Sequence, residues 1–277
     1  MITGKTQFIA HLGVPTEVFK APMIYNPWFE KSGIDTIVVP MGCEAEEYPA
    51  FLPLLFKMRN IAGALVTMPH KVTTVSLLDE ASAAVKVCEA CNAVKRGVEG
   101  QLIGDMFDGE GFVRGILTKG HGVEGKSAIV FGNGGVGSSI VASLAAHGAS
   151  RIALFDPRTE TSEALASRVQ ENFPEITIDV GRSDPGGFDI VVNATPIGMN
   201  DDDPMPLEAD KITPGAFVGD VVMKAEETPF LAAAKARGCP IQPGVDMLFE
   251  MIPAYLEFFG YPTATSDELR AVSKIAY

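Results

Sequence analysis

The run Ala128-Ile129-Val130-Phe131-Gly132-Asn133-Gly134-Gly135-Val136-Gly137-Ser138 constrains the fold more than any other stretch of the chain. An apolar segment stops at a glycine-spaced turn, and apolar character resumes in Ile140-Val141-Ala142-Ser143-Leu144-Ala145. That is the pattern of a buried strand feeding a helix. Gly132, Gly134 and Gly137 carry the spacing G-x-G-x-x-G. The first glycine permits a tight turn, the second lets backbone approach a pyrophosphate, and the third lets the helix pack closely on the strand. Phosphate oxygens then meet the unpaired amides of the helix N-terminus, where Gly135 and Val136 also lie.

Glycine spacing alone also serves purely structural turns, so the next strand matters. Arg151-Ile152-Ala153-Leu154-Phe155 is followed by Asp156. An acidic side chain about 20 residues beyond the glycines, at the tip of the second strand, is where a ribose 2′-hydroxyl is held. The same charge repels a 2′-phosphate. The expected cofactor is therefore NAD, with NADP second because Arg158 can pair with that phosphate.

A chain of 277 residues accommodates one large or two ordinary domains. It is 47% hydrophobic, yet no apolar run reaches the roughly 18 residues that span a bilayer. The opening Met1-Ile2-Thr3-Gly4-Lys5-Thr6-Gln7 has neither an export nor a transit pattern, so a cytoplasmic location is expected. The net charge of −13 argues against nucleic acid, and the apolar pattern against a membrane, as partners. Cys88 and Cys91 are spaced C-x-x-C, but the remaining cysteines, Cys43 and Cys239, and the four histidines are scattered. Reduced thiols are expected, and no metal site.

The N-terminal third alternates strands (8–12, 36–40, 61–66) with helices (from residue 23, behind Pro22, and over 48–58), which implies parallel strands joined by crossover helices. A further helix is predicted over 72–84. This puts Lys71 at a strand-to-helix junction, where the positive helix end would disfavour its protonated form. The domain junction is placed at Asp108-Gly109-Glu110-Gly111, before a helix over 112–118. The second series has strands at 128–131, 151–155, 176–180, 188–195 and 216–222 and a helix over 161–173. An acidic loop follows at 201–206, and final helices at 247–259 and 266–276.

Taken together, these residues resemble the shikimate/quinate dehydrogenase family along essentially the whole chain. Gly13-Val14-Pro15 with Ala21-Pro22 is similar to its opening loop, and Gly63, Val66, Thr67, Pro69 and Lys71 to its lysine motif. Cys91-Asn92-Ala93 is similar to its G-A-x-N-T element, and Gly104 with Asp108-Gly109 to its N-T-D-G element. Asn193-Ala194-Thr195-Pro196-Ile197-Gly198-Met199, Thr228-Pro229 and Gly244 with Met247-Leu248 complete the order.

The resemblance implies an α/β protein: a substrate domain over 1–108, a Rossmann NAD(P)-binding domain over 109–243, and C-terminal helices over 244–277 returning to the first domain. It implies Lys71 and Asp108 as the catalytic pair and Thr67 and Asn92 as substrate contacts. Thr195, Pro196, Met199, Val221, Gly244 and Leu248 join the glycine loop as cofactor contacts. A secondary alcohol needs a base for its hydroxyl proton while hydride leaves, and a lysine beside a carboxylate suits that task.

Departures fall on the substrate side. Phe19 and Ala21 occupy the two serine positions of the family's S-x-S-P, and Leu65 that of the asparagine of G-x-N-V-T. Met106-Phe107 replaces the N-T of N-T-D-G, Met223 a tyrosine, and Met251 the glutamine of the last helix. An apolar pocket rejects a polyol carboxylate because its polar groups would be buried unpaired. The expected substrate is therefore a cyclic or small secondary alcohol, or its ketone, less polar than shikimate. Shikimate or quinate itself is the alternative, and a catalytically weak NAD-binding sensor the alternative of another class. Either a monomer or a homodimer is compatible with the sequence.

Overall fold

The structure is a computed structural model of the chain and describes residues 2–200, 202–224 and 227–275. Met1, Asp201 of the expected acidic loop and Ala276 of the expected last helix lie outside the described residues. The chain forms two compact units. One gathers the residues up to Val85, Glu89–Phe107 and those from Ile252 onward, and the other Lys86–Cys88 with Asp108–Met251.

The first unit begins with β1 (Gln7–Leu12), α1 (Pro22–Lys31), β2 (Thr36–Met41), α2 (Tyr48–Leu55), β3 (Ile61–Val66) and α3 (Lys71–Val75). It continues through β4 (Glu80–Ala81), α4 (Ala83–Cys88), β5 (Ala93–Arg96) and β6 (Leu102–Asp105), α4 ending in residues of the second unit. The sheet order is β2-β1-β3-β5-β6-β4. β1, β2 and β3 are parallel, as the alternating pattern predicts. β5 and β6 form a hairpin around Gly97 and Gly100, so this sheet is mixed and not wholly parallel.

The helix predicted over 72–84 breaks into α3 and α4. Val72-Thr73-Thr74-Val75 is a β-branched run with weak helical preference. Beyond it the chain is claimed by the sheet: Asp79 N–H donates to the Leu102 carbonyl, and Leu102 N–H to the Asp79 carboxylate. The Ser82 hydroxyl then caps the start of α4. Strand pairing overrides local periodicity here.

The second unit contains α5 (Asp108–Thr118), β7 (Ser127–Phe131), α6 (Gly135–Ala146), β8 (Arg151–Phe155), α7 (Thr159–Asn172) and β9 (Thr177–Val180). β10 (Ile190–Asn193), β11 (Phe217–Asp220), α8 (Pro229–Ala236) and β12 (Ile241–Gln242) follow. All strands run parallel in the order β12-β11-β10-β7-β8-β9. This is the Rossmann arrangement, and the order reverses between β7 and β10, where such sheets bind ligands outside the strand ends. Ile129, Phe131, Val191, Val218, Phe230 and Leu231 belong to its buried core.

Helix α5 starts at Asp108, four residues before the predicted start. Its first-turn glycines serve close packing: a Cβ on Gly109 would lie 1.9 Å from the Ser139 carbonyl oxygen of α6. Helix α9 (Gly244–Phe259) runs from the second unit into the first, and α10 (Ser266–Val272) carries a Thr265/Glu268 capping box. Within the first unit, Lys274 N–H donates to Met23 O in the first turn of α1, and Phe259 covers Gly63 so closely that a Cβ there would meet its ring at 2.3 Å. Among the described residues no helix is long and apolar enough to cross a membrane.

Candidate functional site

In the second unit the turn after β7 is built as its glycines require. Gly132 has φ +86°, in the left-handed region, and its N–H donates to Phe155 O at the end of β8. A Cβ on Gly137 would lie 1.8 Å from Gly132 O, so only glycine lets α6 approach this closely. Gly134 and Gly135 have the opposite surroundings: a Cβ on either would meet nothing within 4 Å. Gly134 caps α6 without a side-chain bond, Gly135 is exposed and Val136 half-buried. An open, glycine-floored helix N-terminus at the switch point fits a dinucleotide pyrophosphate.

Asp156 is buried at the tip of β8 and turned toward the backbone. Its carboxylate accepts from Asn133 N–H at 3.0 Å, from Arg158 N–H at 3.0 Å and from Arg158 Nε at 3.4 Å. Burial pushes its pKa up, but the Asn133 and Arg158 donors outweigh this and hold it below the ordinary value. The Arg158 side chain itself is 73% exposed. The Asn133 side chain, which no motif spacing marks, accepts from the buried Ser162 hydroxyl at 2.7 Å and so fixes the loop to α7.

Asn193, at the tip of β10, organises the next loop. Its Oδ1 accepts from Thr195 N–H and Oγ1–H, while Nδ2 donates to Ile197 O and to Asp220. Asp220 also accepts from the Thr228 hydroxyl at 2.6 Å and from Val222 N–H. Burial raises its pKa despite these donors. The hub orients the segments bearing Thr195, Pro196 and Val221, leaving Pro196, Met199 and Met223 exposed. A Cβ on Gly244 would sit 2.6 Å from Val221 O, so these two are neighbours, and Leu248 follows one turn along α9. Met251 lies on the same helix, half-buried and against Gly111. The polar tip of β10 was visible in the sequence, but the hub joining it to Asp220 and Thr228 was not.

In the first unit, Lys71 opens α3 and its carbonyl accepts from Cys91 N–H. The five-residue helix is much shorter than predicted, so the helix dipole at this lysine is weaker than a full-length helix would supply. His70, immediately before it, is buried, stacks on Tyr48 at 3.9 Å and donates from Nε2 to Cys43 O at 2.8 Å. Thr74 links this pair, its hydroxyl lying 2.7 Å from Tyr48 OH and donating to His70 O. Thr67 N–H donates to Leu12 O at the end of β1. Asn92 is buried, and its Oδ1 accepts from Phe107 N–H at 2.9 Å. The Phe107 ring packs edge-on against Tyr255 and Phe258, so this replacement has become a core residue. Phe19 is buried and Ala21 half-buried before α1. Asp108, the first residue of α5, is buried in the second unit.

Among the described residues no group of three or more His, Cys, Asp or Glu side chains is placed to hold a metal ion. The four cysteines are free.

A family model of the shikimate dehydrogenase substrate binding domain matches residues 12–94. The shikimate dehydrogenase (NADP(+)) of Rhodospirillum rubrum is 31% identical over 282 residues, covering 98% of both chains. The chain belongs to the shikimate dehydrogenase family. Members of this family are oxidoreductases acting on CH–OH groups. Among solved structures, shikimate 5-dehydrogenase from Listeria monocytogenes, in complex with shikimate and NAD, superimposes with a TM-score of 0.90 at 25% identity, covering 98% of this chain and 97% of that one. The ligand-free 5-ketofructose reductase of a Gluconobacter strain gives 0.89 at 26% identity, with 98% of each chain covered.

Proposed function

We propose that the protein transfers hydride between a secondary alcohol, or its ketone, and a nicotinamide dinucleotide, with Lys71 and Asp108 handling the hydroxyl proton. The observation that carries this reading is the glycine-floored helix terminus at the switch point of a chain related over its whole length to shikimate dehydrogenases. The dinucleotide supplies the hydride acceptor or donor. In the oxidative direction the carbinol C–H bond breaks as hydride leaves, and the C=O bond forms as the O–H proton departs. The Lys71 amine takes that proton, and the Asp108 carboxylate stabilises the resulting ammonium. Gly134, Gly135 and Val136 would hold the pyrophosphate. The protein would work as a monomer or homodimer in the cytoplasm.

The relatives' names support NADP over the NAD that Asp156 alone suggests. The side chains are compatible with that choice. The Asp156 charge is partly neutralised by inward hydrogen bonds, and the exposed Arg158 guanidinium suits a 2′-phosphate. The same names support shikimate as substrate better than a less polar compound. Phe19, Ala21 and Leu65, which lack the hydroxyls and amide of the family motif, support the less polar compound. Purified protein assayed with NADP+ and NAD+ against shikimate, quinate and a panel of cyclic and short-chain secondary alcohols separates these readings. Absence of hydride transfer to either dinucleotide across the panel, and from NADPH or NADH to the matching ketones, would favour the sensor alternative.

A further inference from the structure

His11 is a polar side chain on β1 opposite Leu65 of β3. The two residues are register partners on the parallel neighbours β1 and β3, so their side chains leave the sheet on the same face. Leu65 occupies the position of the family's asparagine. His11 also stacks against Phe19, which occupies a serine position, with ring centroids 4.0 Å apart and an interplanar angle of 26°. Thr67 and Phe19 close around Gly13, where a Cβ would lie 2.5 Å from Thr67 Cγ2 and 3.2 Å from Phe19 Cζ. The imidazole thus stands among the residues that replace the family's polar substrate contacts.

His11 is only 9% exposed, and its Nδ1 is fully buried without a hydrogen-bond partner. With Nδ1 sealed, Nε2 is the nitrogen left to meet a ligand. A buried lone pair without a donor is tolerated better than a buried N–H without an acceptor, which assigns the proton to Nε2. Burial first, and then the Lys71 charge, lower the histidine pKa to about 4, so the ring is neutral near pH 7.

We propose that His11 is a specificity-determining residue whose Nε2–H donates to an oxygen of the substrate on a face that Phe19 and Leu65 otherwise make apolar. The substrate class this selects is a ring or short chain, largely apolar at that face, carrying one carbonyl, hydroxyl or carboxylate oxygen toward His11. The proposal rests on the oxidoreductase reading above.

The test uses the full chain, His11→Val and His11→Asn, the second of which restores a side-chain N–H. Steady-state kinetics with shikimate, quinate, cyclohexanone and 2-hydroxycyclohexanone, in either direction and with both dinucleotides, are combined with NMR of the histidine ring nitrogens. The compound turned over best should show KM raised about tenfold in His11→Val, with kcat within a few-fold and dinucleotide affinity unchanged. His11→Asn should recover most of that loss, and the compound should shift the Nε2 signal in wild type. An unchanged KM in His11→Val, or an Nε2 signal that does not move at saturation, overturns the proposal and leaves the activity standing. No turnover and no ring-nitrogen shift with any probe overturns both.

Discussion

The Asp156 carboxylate accepts a hydrogen bond from the Asn133 backbone amide at 3.0 Å, joining the tip of β8 to the glycine loop after β7. The contact turns a charge that would face a cofactor partly into a brace for the loop. Selectivity at the ribose end then depends on Arg158 as well as on Asp156. Arg158→Ala is expected to weaken NADP binding by about tenfold to a hundredfold, the range of one charge-assisted hydrogen-bonded contact, while NAD binding changes little. Titration of each dinucleotide by fluorescence or calorimetry decides; equal losses for both would assign Arg158 to the loop and not to the phosphate.

Lys71→Ala and Asp108→Ala should each lower turnover by roughly 10² to 10⁴, the usual worth of positioned proton transfer. Dinucleotide affinity should survive, because the glycine cradle is built in the second unit from residues other than these. Single-turnover rates alongside binding curves make the distinction. Full activity in both variants on a compound the wild type turns over would remove the pair from the mechanism.

Gly137→Ala places a methyl group 1.8 Å from Gly132 O, backbone that cannot swing aside. We expect a loss of at least about 1–3 kcal/mol in stability, the usual cost of overpacking, together with weaker dinucleotide binding. Gly134→Ala, with open space around the added carbon, should leave stability within about 1 kcal/mol while still hindering the approach of phosphate. Urea denaturation with and without dinucleotide compares them.

His11 gives the fold an acid-sensitive element. Its pKa is lowered from 6.5 to about 4 by burial and then by Lys71. The unfolded chain therefore binds a proton that the folded chain does not, and the ring's contribution is complete above pH 6.5 and lost as pH falls toward 4. The difference amounts to about 3 kcal/mol by linkage. Stability of His11→Val followed over this window should fall less steeply than that of wild type; parallel curves would show that His11 takes up its proton without opposing the fold.

Much of the second unit could be read directly from the residues. The apolar run of β7, the glycines and the apolar β8 ending at Asp156 are local features, each fixed by its own strand, turn or helix. Likewise the chemistry-bearing types Lys71, Asp108, Thr67 and Asn92 stand in short motifs whose order along the chain carries the family resemblance. The apolar spacing of 72–84 suits a helix, while its fate is set by hydrogen bonds between Asp79 and Leu102, distant in sequence. The start of α5 differs from the predicted one for a related reason: Gly109 and Gly111 have the composition of a turn, and only their close approach to Ser139 and Met251 makes them helical packing positions.

By itself, then, the sequence determined the Rossmann glycine turn, the family and the identities of the proton-handling candidates, because periodicity and motif spacing are properties of contiguous residues. Only the tertiary structure decided where Asp156 points, that Phe107 is core, and that His11 pairs in register with Leu65 while stacking on Phe19. These outcomes depend on strand register and on which buried polar atoms find partners, and neither is set within one stretch of chain.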